Sequence, residues 1–329
     1  MPYATPLTEP EIAAALKTLP AWHRDGDWLI RIVECPTFRE AISLVASVAD
    51  AAEESRLDSV WAADHLVFRD DGAWSGIHES WTILTAVAAI TERVEIGPLV
   101  LALPFRNPAV TAKMAAALDE VSGGRLILGV GCGWHEPEFD AFDFPFDHRV
   151  GRFEEALSIL LGLLRTGKVT FQGRWHSADA RLLPRGPRPD GPPILIAGKR
   201  PRMLRLVARH ADQWNAAWYG RRDEANELEQ RIAALRAACA IEGRNPDEIS
   251  LSAGLFVHFP GLADPGHEDP PGNAISGDAG EVGRELAAYR ELGMGHLIVH
   301  LWPPTAEAVT ELGRAAEIAR ADVRIGAHG

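Results

Sequence analysis

Only three cysteines, Cys35, Cys132 and Cys239, occur in 329 residues, too widely spaced for a C-x-x-C metal site or a local disulfide framework. Their odd number suits a reducing compartment. Positive charge is also scarce: 33 Lys and Arg stand against 46 Asp and Glu, a formal charge of −13, and the cations are scattered rather than clustered. That balance argues against nucleic acid and anionic membranes as partners and leaves a small molecule as the expected one. No run approaches the roughly 18 apolar residues of a membrane-spanning helix. The first residues, MPYATPLTEPEIAAALKTLP, place acids and prolines where a signal peptide has a basic and then an apolar stretch, so the cytoplasm is the expected location. A Ser-His-Asp set and metal-ligand spacings are missing as well. Gly129-Val130-Gly131-Cys132-Gly133 lacks the last glycine of G-x-G-x-x-G, and no acidic residue follows at the right distance, which excludes a dinucleotide fold. A chain without an evident acid, base or metal points to a cofactor that brings its own chemistry.

What the chain does have is a large apolar share, 47%, arranged in a repeating pattern. Its centre is Val94–Glu138. The continuous apolar run Val94–Leu103 predicts a parallel strand covered on both faces. Asn107-Pro108 supplies a helix cap and first turn, Ser122-Gly123-Gly124 a stop, and Arg125–Val130 the next strand. Such a βαβ unit exposes its chemistry at the strands' carboxyl ends. Further strands are expected at Leu29–Glu34, Ser59–Ala63, Ile194–Ala197, Asp212–Ala216, Ile249–His258 and His296–Trp302. Helical patterns follow each, including Thr37–Glu54, Glu79–Ile90, Arg149–Leu164, Asp223–Ile241, Glu281–Leu292 and a last one capped by Thr305. Loops are expected at Phe68–His78, Trp134–Asp147 and Phe259–Gly280, and a surface hairpin at Lys168–Ser177. Eight strands alternating with helices predict an α/β fold, a (β/α)8 TIM barrel with insertions over residues 29–325, after an extension at 1–28. An open doubly wound sheet is the alternative. In the extension, Thr8 and Glu11 form a capping box for a helix to about Thr18.

Barrel enzymes work at the carboxyl ends of their strands, which selects His65, Leu103–Arg106, Cys132–Glu136, Gly198–Arg202, Asn215–Trp218, His258 and His300–Trp302. Gly198-Lys199-Arg200-Pro201-Arg202 combines helix N-terminal N–H groups with three cations, a combination that suits a phosphate; a solvated basic helix start is the bland reading. Trp61, Trp134, Trp214, Trp218 and Trp302 near strand ends offer walls for a planar ligand, or simply core. Asp64 is expected to set the ring tautomer of His65.

Several segments carry a resemblance. LDSVWAADHLV (57–67), RNPAVTAKMAAALDEVSGGRLILGVGCGWHEPEFDAF (106–142), GRFEEALSIL (151–160), VTFQGRWHS (169–177) and PPILIAGKRPRMLRLVARHADQWNA (192–216) resemble, in order, the luciferase-like monooxygenase family of flavin and deazaflavin oxidoreductases. The GWHEPE loop looks most like coenzyme F420-dependent members. The resemblance implies a hydride-transferring, F420-dependent oxidoreductase acting on a small organic substrate. Its alternatives are a reduced-FMN monooxygenase served by a separate flavin reductase and a non-catalytic flavin-binding barrel. It further implies His65 beside the cofactor ring as the catalytic residue. Pro98, Leu99 and Val100 would form a third-strand bulge, where related deazaflavin enzymes carry a non-prolyl cis peptide. Cys132 would lie near the ring edge and Gly198, Lys199 and Arg200 at the phosphate, in a homodimer. Two departures stand out: Gly-Lys-Arg-Pro replaces the usual Gly-Ser-Gly-Pro type of run, and Trp134 occupies the position where sugar-oxidising members carry an acid. Glu136, Glu138 and His135 are then the nearby groups able to carry a proton. Residues 1–31 also resemble the start of pterin carbinolamine dehydratases without that family's histidine pair, and read as a packing arm.

Overall fold

The computed structural model describes residues 22–25, 28–31, 38–70, 73–262 and 270–326. The expected N-terminal helix lies outside them. β1 (Trp22–Asp25) and β2 (Trp28–Arg31) pair antiparallel. This corrects the expectation of a barrel strand at Leu29–Glu34: its described part, Leu29–Arg31, takes the partner nearest in sequence, where little loop entropy opposes pairing. α1 (Phe38–Glu54) leads to β3 (Ser59–Ala62). The expected loop Phe68–His78 is largely a hairpin of β4 (Val67–Asp70) and β5 (Ala73–Gly76), with the Arg69 guanidinium 5.0 Å above the ring of its cross-strand neighbour Trp74. Glu79 caps α2 (Ser80–Ile90) by accepting the Thr82 N–H at 2.8 Å.

The expected strand Val94–Leu103 is broken into β6 (Glu95–Pro98) and β7 (Leu101–Ala102). α3 (Pro108–Val121) starts as its sequence dictates, with the Asn107 side chain accepting the N–H groups of Ala109 and Val110. It stops at Gly123 and Gly124, whose φ angles of 65° and 88° favour glycine. β8 (Leu128–Gly131), α4 (Glu136–Ala141) and α5 (Arg149–Thr166) follow. β9 (Lys168–Gln172) and β10 (Ser177–Arg181) form the surface hairpin. Then come β11 (Ile194–Ala197), α6 (Pro201–His210), β12 (Gln213–Tyr219) and α7 (Asn226–Glu242). The chain closes with β13 (Ser250–His258), β14 (Ile275–Ser276), α8 (Ala279–Glu291), β15 (Met294–Trp302) and α9 (Ala306–Gly326).

The fold is an α/β TIM barrel. Seven staves are present among the described residues: β3, β6 with β7, β8, β11, β12, β13 and β15, every adjacent pair parallel. A bridge between Ile96 and Leu126 joins the third stave to β8 below its break. The staves β8, β11 and β12 are buried on both faces: Leu128, Val130, Ile194, Leu195, Ile196 and Trp214 are each 0% exposed. Inside, Ile127, Leu195 and Ile298 pack with Trp61, Leu99 and Val100. Between β15 and β3 no stave is described; a cavity of about 780 Å³ occupies the seam, walled by both strands, α1 and α9. Ser59 Oγ and His296 Nε2 meet across it at 2.7 Å. Among the described residues no helix is long and apolar enough to cross a membrane.

Candidate active site

β3 and β11 are parallel members of one barrel, so the residues that follow them, Asp64-His65 and Gly198–Arg200, lie on the same rim. Asp64 is 4% exposed, and its carboxylate is fully engaged away from His65. It accepts the Ser80 hydroxyl at 2.6 Å, the Ala102 N–H at 2.8 Å and both terminal nitrogens of Arg106 at 2.8 Å. Arg106 also binds Glu79 at 2.8 Å. This network ties β3, α2 and β7 together, and it overturns the expectation that Asp64 orients His65.

The partner of His65 is Glu138. His65 Nδ1 lies 3.1 Å from Glu138 Oε2, and the other carboxylate oxygen accepts the backbone N–H groups of Leu66 and Val67. A carboxylate that accepts at both oxygens leaves Nδ1 as the protonated ring nitrogen and Nε2 as the one able to exchange a proton. Phe68, Trp134 and His135 surround the imidazole, with centroids at 4.5, 5.7 and 6.5 Å. Glu138 rides on α4, a helix inside what reads as the loop Trp134–Asp147. Its sequence signal is Pro137 in the first turn followed by Phe139, which is 0% exposed and packs with Phe105. Of the three groups that could carry a proton, the fold brings Glu138 within hydrogen-bond distance of His65 and His135 within ring contact of it.

At the third stave, Pro98, Leu99 and Val100 form the break between β6 and β7, and the Leu99–Val100 peptide bond is cis. The Leu99 N–H donates to Ala62 O at 2.8 Å, fixing the break against β3. The neighbouring glycines make room for it. A Cβ on Gly129 would lie 2.1 Å from Pro98 O, and one on Gly131 2.8 Å from Val100 Cγ2. The Gly-Val-Gly-Cys-Gly run therefore serves a close strand-to-strand approach. Cys132 is half-buried beyond it, and burial pushes its thiol pKa up, so the residue packs as a thiol.

On the opposite part of the rim, Trp214 Nε1 donates to Gly198 O at 2.8 Å, and Met203 packs where a Gly198 side chain would stand, 2.7 Å from its Cβ position. Lys199 and Arg200 are exposed at the start of α6, and neither has an ion-pair partner among the described residues. Arg202 is tied to Glu154 at 2.6 Å. Two free cations beside open helix N–H groups make a donor set that fits a phosphate. The remaining candidates separate: His258 hydrogen-bonds Ser276, whereas Trp218 and His300 line the seam cavity, on whose wall Leu99 also lies.

A family model described as luciferase-like monooxygenase matches residues 28–260. The chain belongs to that family. The luciferase-like relatives include an F420-dependent glucose-6-phosphate dehydrogenase of Amycolatopsis mediterranei, 37% identical over 169 residues, 49% of this chain and 49% of that protein. Pyrimidine monooxygenase RutA of Cronobacter turicensis is 28% identical over 250 residues, 73% of this chain and 62% of RutA. The chain thus spans less than two thirds of either relative's length. In fold, it resembles an F420-dependent secondary alcohol dehydrogenase with a TM-score of 0.71 at 20% identity, covering 86% of this chain and 96% of that one. It also resembles monooxygenase RslO1 of Streptomyces bottropensis, with a TM-score of 0.70 at 22% identity, covering 87% and 95%.

Proposed function

We propose that this chain is a coenzyme F420-dependent oxidoreductase that moves a hydride to or from a small organic substrate. The observation that carries the reading is the pairing on one rim of His65, held by buried Glu138, with the unpartnered cations Lys199 and Arg200 at the start of α6. The 37% identity to an F420-dependent dehydrogenase supports it. When bound, the deazaflavin supplies hydride exchange at its central ring carbon. The chain's own residues do the rest. Lys199, Arg200 and the N–H groups of α6 would hold the anionic end, and the break at Leu99–Val100 would lie beside the ring. His65 Nε2 gives or takes the proton that accompanies the hydride, while Glu138 keeps Nδ1 occupied. Phe68 and Trp134 flank the imidazole and limit its contact with water.

The second reading, a reduced-FMN monooxygenase supplied by a separate reductase, is supported by the similarity to RutA. Equilibrium titration with F420 and, separately, with FMN decides between them. F420 is expected to bind the more tightly, and the double substitution Lys199→Ala, Arg200→Ala to weaken it roughly tenfold or more. Tighter binding of FMN would transfer the proposal to the second reading, and equal affinity of the double variant would remove the cations from the site.

A further inference from the structure

β12 carries an irregularity that its sequence does not announce. Its register with β13 shifts between Asn215 and Trp218, and Ala217 has φ of 83°, a left-handed conformation that alanine rarely adopts. The bulge is held from within: Asn215 Oδ1 accepts the Ala217 N–H at 3.0 Å, and Asn215 Nδ2 donates to Ser252 Oγ at 3.3 Å. A bulge re-aims the side chain that follows it. Here that side chain is Trp218, which keeps 38% of its surface exposed and lines the 780 Å³ cavity.

The space the indole takes is prepared on the next stave. A Cβ at Gly254 would lie 2.5 Å from Trp218 Cε3, so only glycine admits the ring there. Phe256, two residues on, stacks on Trp218 with centroids 5.3 Å apart and planes 13° apart. From β15, His300 and Trp302 add a second stacked pair at 4.2 Å and 12°, with His300 5.9 Å from Trp218. Three staves thus build one cluster of four flat rings, of which Trp218 and His300 line the cavity.

Its electrostatics are selective. His300 keeps surface open to the cavity, yet the groups packed around it disfavour its charged form and lower its pKa to about 4, as burial lowers that of His296, so neither favours the charged form. The cations lining the cavity are Arg320, ion-paired with Asp58 at 2.7 Å, and Arg290, which donates to the backbone Ala319 O at 2.8 Å and keeps its charge. With Asp58 and Glu95 beside these two arginines, the cavity's described lining carries no excess of positive charge to draw a phosphate ester, whereas a flat neutral ring finds a stacking surface.

We infer that the Trp218, Phe256, His300 and Trp302 wall is the substrate subsite, and that it takes a neutral, planar aromatic molecule rather than a phosphorylated sugar. The inference rests on the proposed function, in that Leu99, on the cavity's other wall, belongs to the break assigned to the cofactor ring.

The test is calorimetric titration of the purified protein with indole and with glucose 6-phosphate, alone and with F420 at saturation. Indole is expected to bind and glucose 6-phosphate not. Trp218→Leu and Gly254→Ala, the latter displacing the indole ring of Trp218 without touching the cavity's charge, should each weaken indole roughly tenfold, with circular dichroism confirming the fold. Unchanged indole affinity in both variants, or tighter binding of glucose 6-phosphate, overturns the inference. Loss of F420 binding with Trp218-dependent indole binding intact would sink the cofactor assignment and leave the aromatic subsite standing.

Discussion

Glu138 is 1% exposed and has both carboxylate oxygens in use, one on the backbone after β3 and one on His65. Replacing it with Gln preserves shape but turns one of its two ends into a donor. With the amide oxygen retained by Leu66 and Val67, the amide nitrogen faces His65 Nδ1, and two donors cannot share that contact. The ring proton is therefore expected to leave Nδ1 for Nε2 in Glu138→Gln. Nitrogen-15 spectra of the labelled imidazole read this directly, and the same tautomer in both proteins would show that Glu138 does not set it. Stability should fall only by about 1–2 kcal/mol, because most of the contacts survive. Asp64 shows why its neighbour was the misleading partner. Adjacent in sequence, it is drawn away by the bidentate Arg106 and by Ser80, which become its neighbours only once β3, α2 and β7 are assembled.

At the scale of elements, local chemistry made most helices legible. Asn107-Pro108 and Glu79 cap the helices they precede, and Asp278 forms a capping box with Glu281 at the start of α8. Asn107→Ala removes the acceptor for two N–H groups at an exposed site and should cost about 1 kcal/mol, read as a lower urea midpoint with an unchanged slope. No change would mean that water replaces the cap in full. Strand breaks were harder to read. Val94–Leu103 is uniformly apolar, and its interruption at Leu99–Val100 comes from glycines 129 and 131 on the neighbouring stave, a long-range cause that no window along one strand contains. The same holds for the bulge at Ala217, which depends on Ser252 and Gly254 of β13. The hairpin of β4 and β5 was hidden in a short stretch of Asp, Gly and Trp, and the helix α4, six residues long, in an acidic and Phe-rich stretch too short to show a period. The candidate residues were legible in position, since His65, Cys132, Lys199 and Arg200 all follow strand ends, but their pairings were not.

The barrel as a whole is uneven around its circumference. β12 and β13 are hydrogen-bonded on both sides, whereas β3 pairs with β6 alone and β15 with β13 alone among the described residues. Between β3 and β15 no ladder is formed among the described residues, and the seam is spanned there by the Ser59–His296 hydrogen bond and the Trp61–His296 ring contact at 5.6 Å beside the cavity. α1 and α9 pack over it and against each other. Backbone amides without a ladder partner depend on water or on local opening for their exchange, so protection should follow the pairing. Hydrogen exchange followed residue by residue is expected to show the amides between β12 and β13 protected close to the global unfolding limit. Seam-facing amides of β3 and β15 should exchange at least tenfold faster, alternating along each strand with those that bond inward. Adding indole should not slow the lower seam around Ser59 and Met294, because Trp218 and His300 stand near the carboxyl ends of β12 and β15. Protection of the seam-facing amides equal to that of β12 and β13 would mean that the circle of hydrogen bonds is complete in solution. The cavity would then be smaller than 780 Å³ and the aromatic wall would meet its ligand from the rim alone.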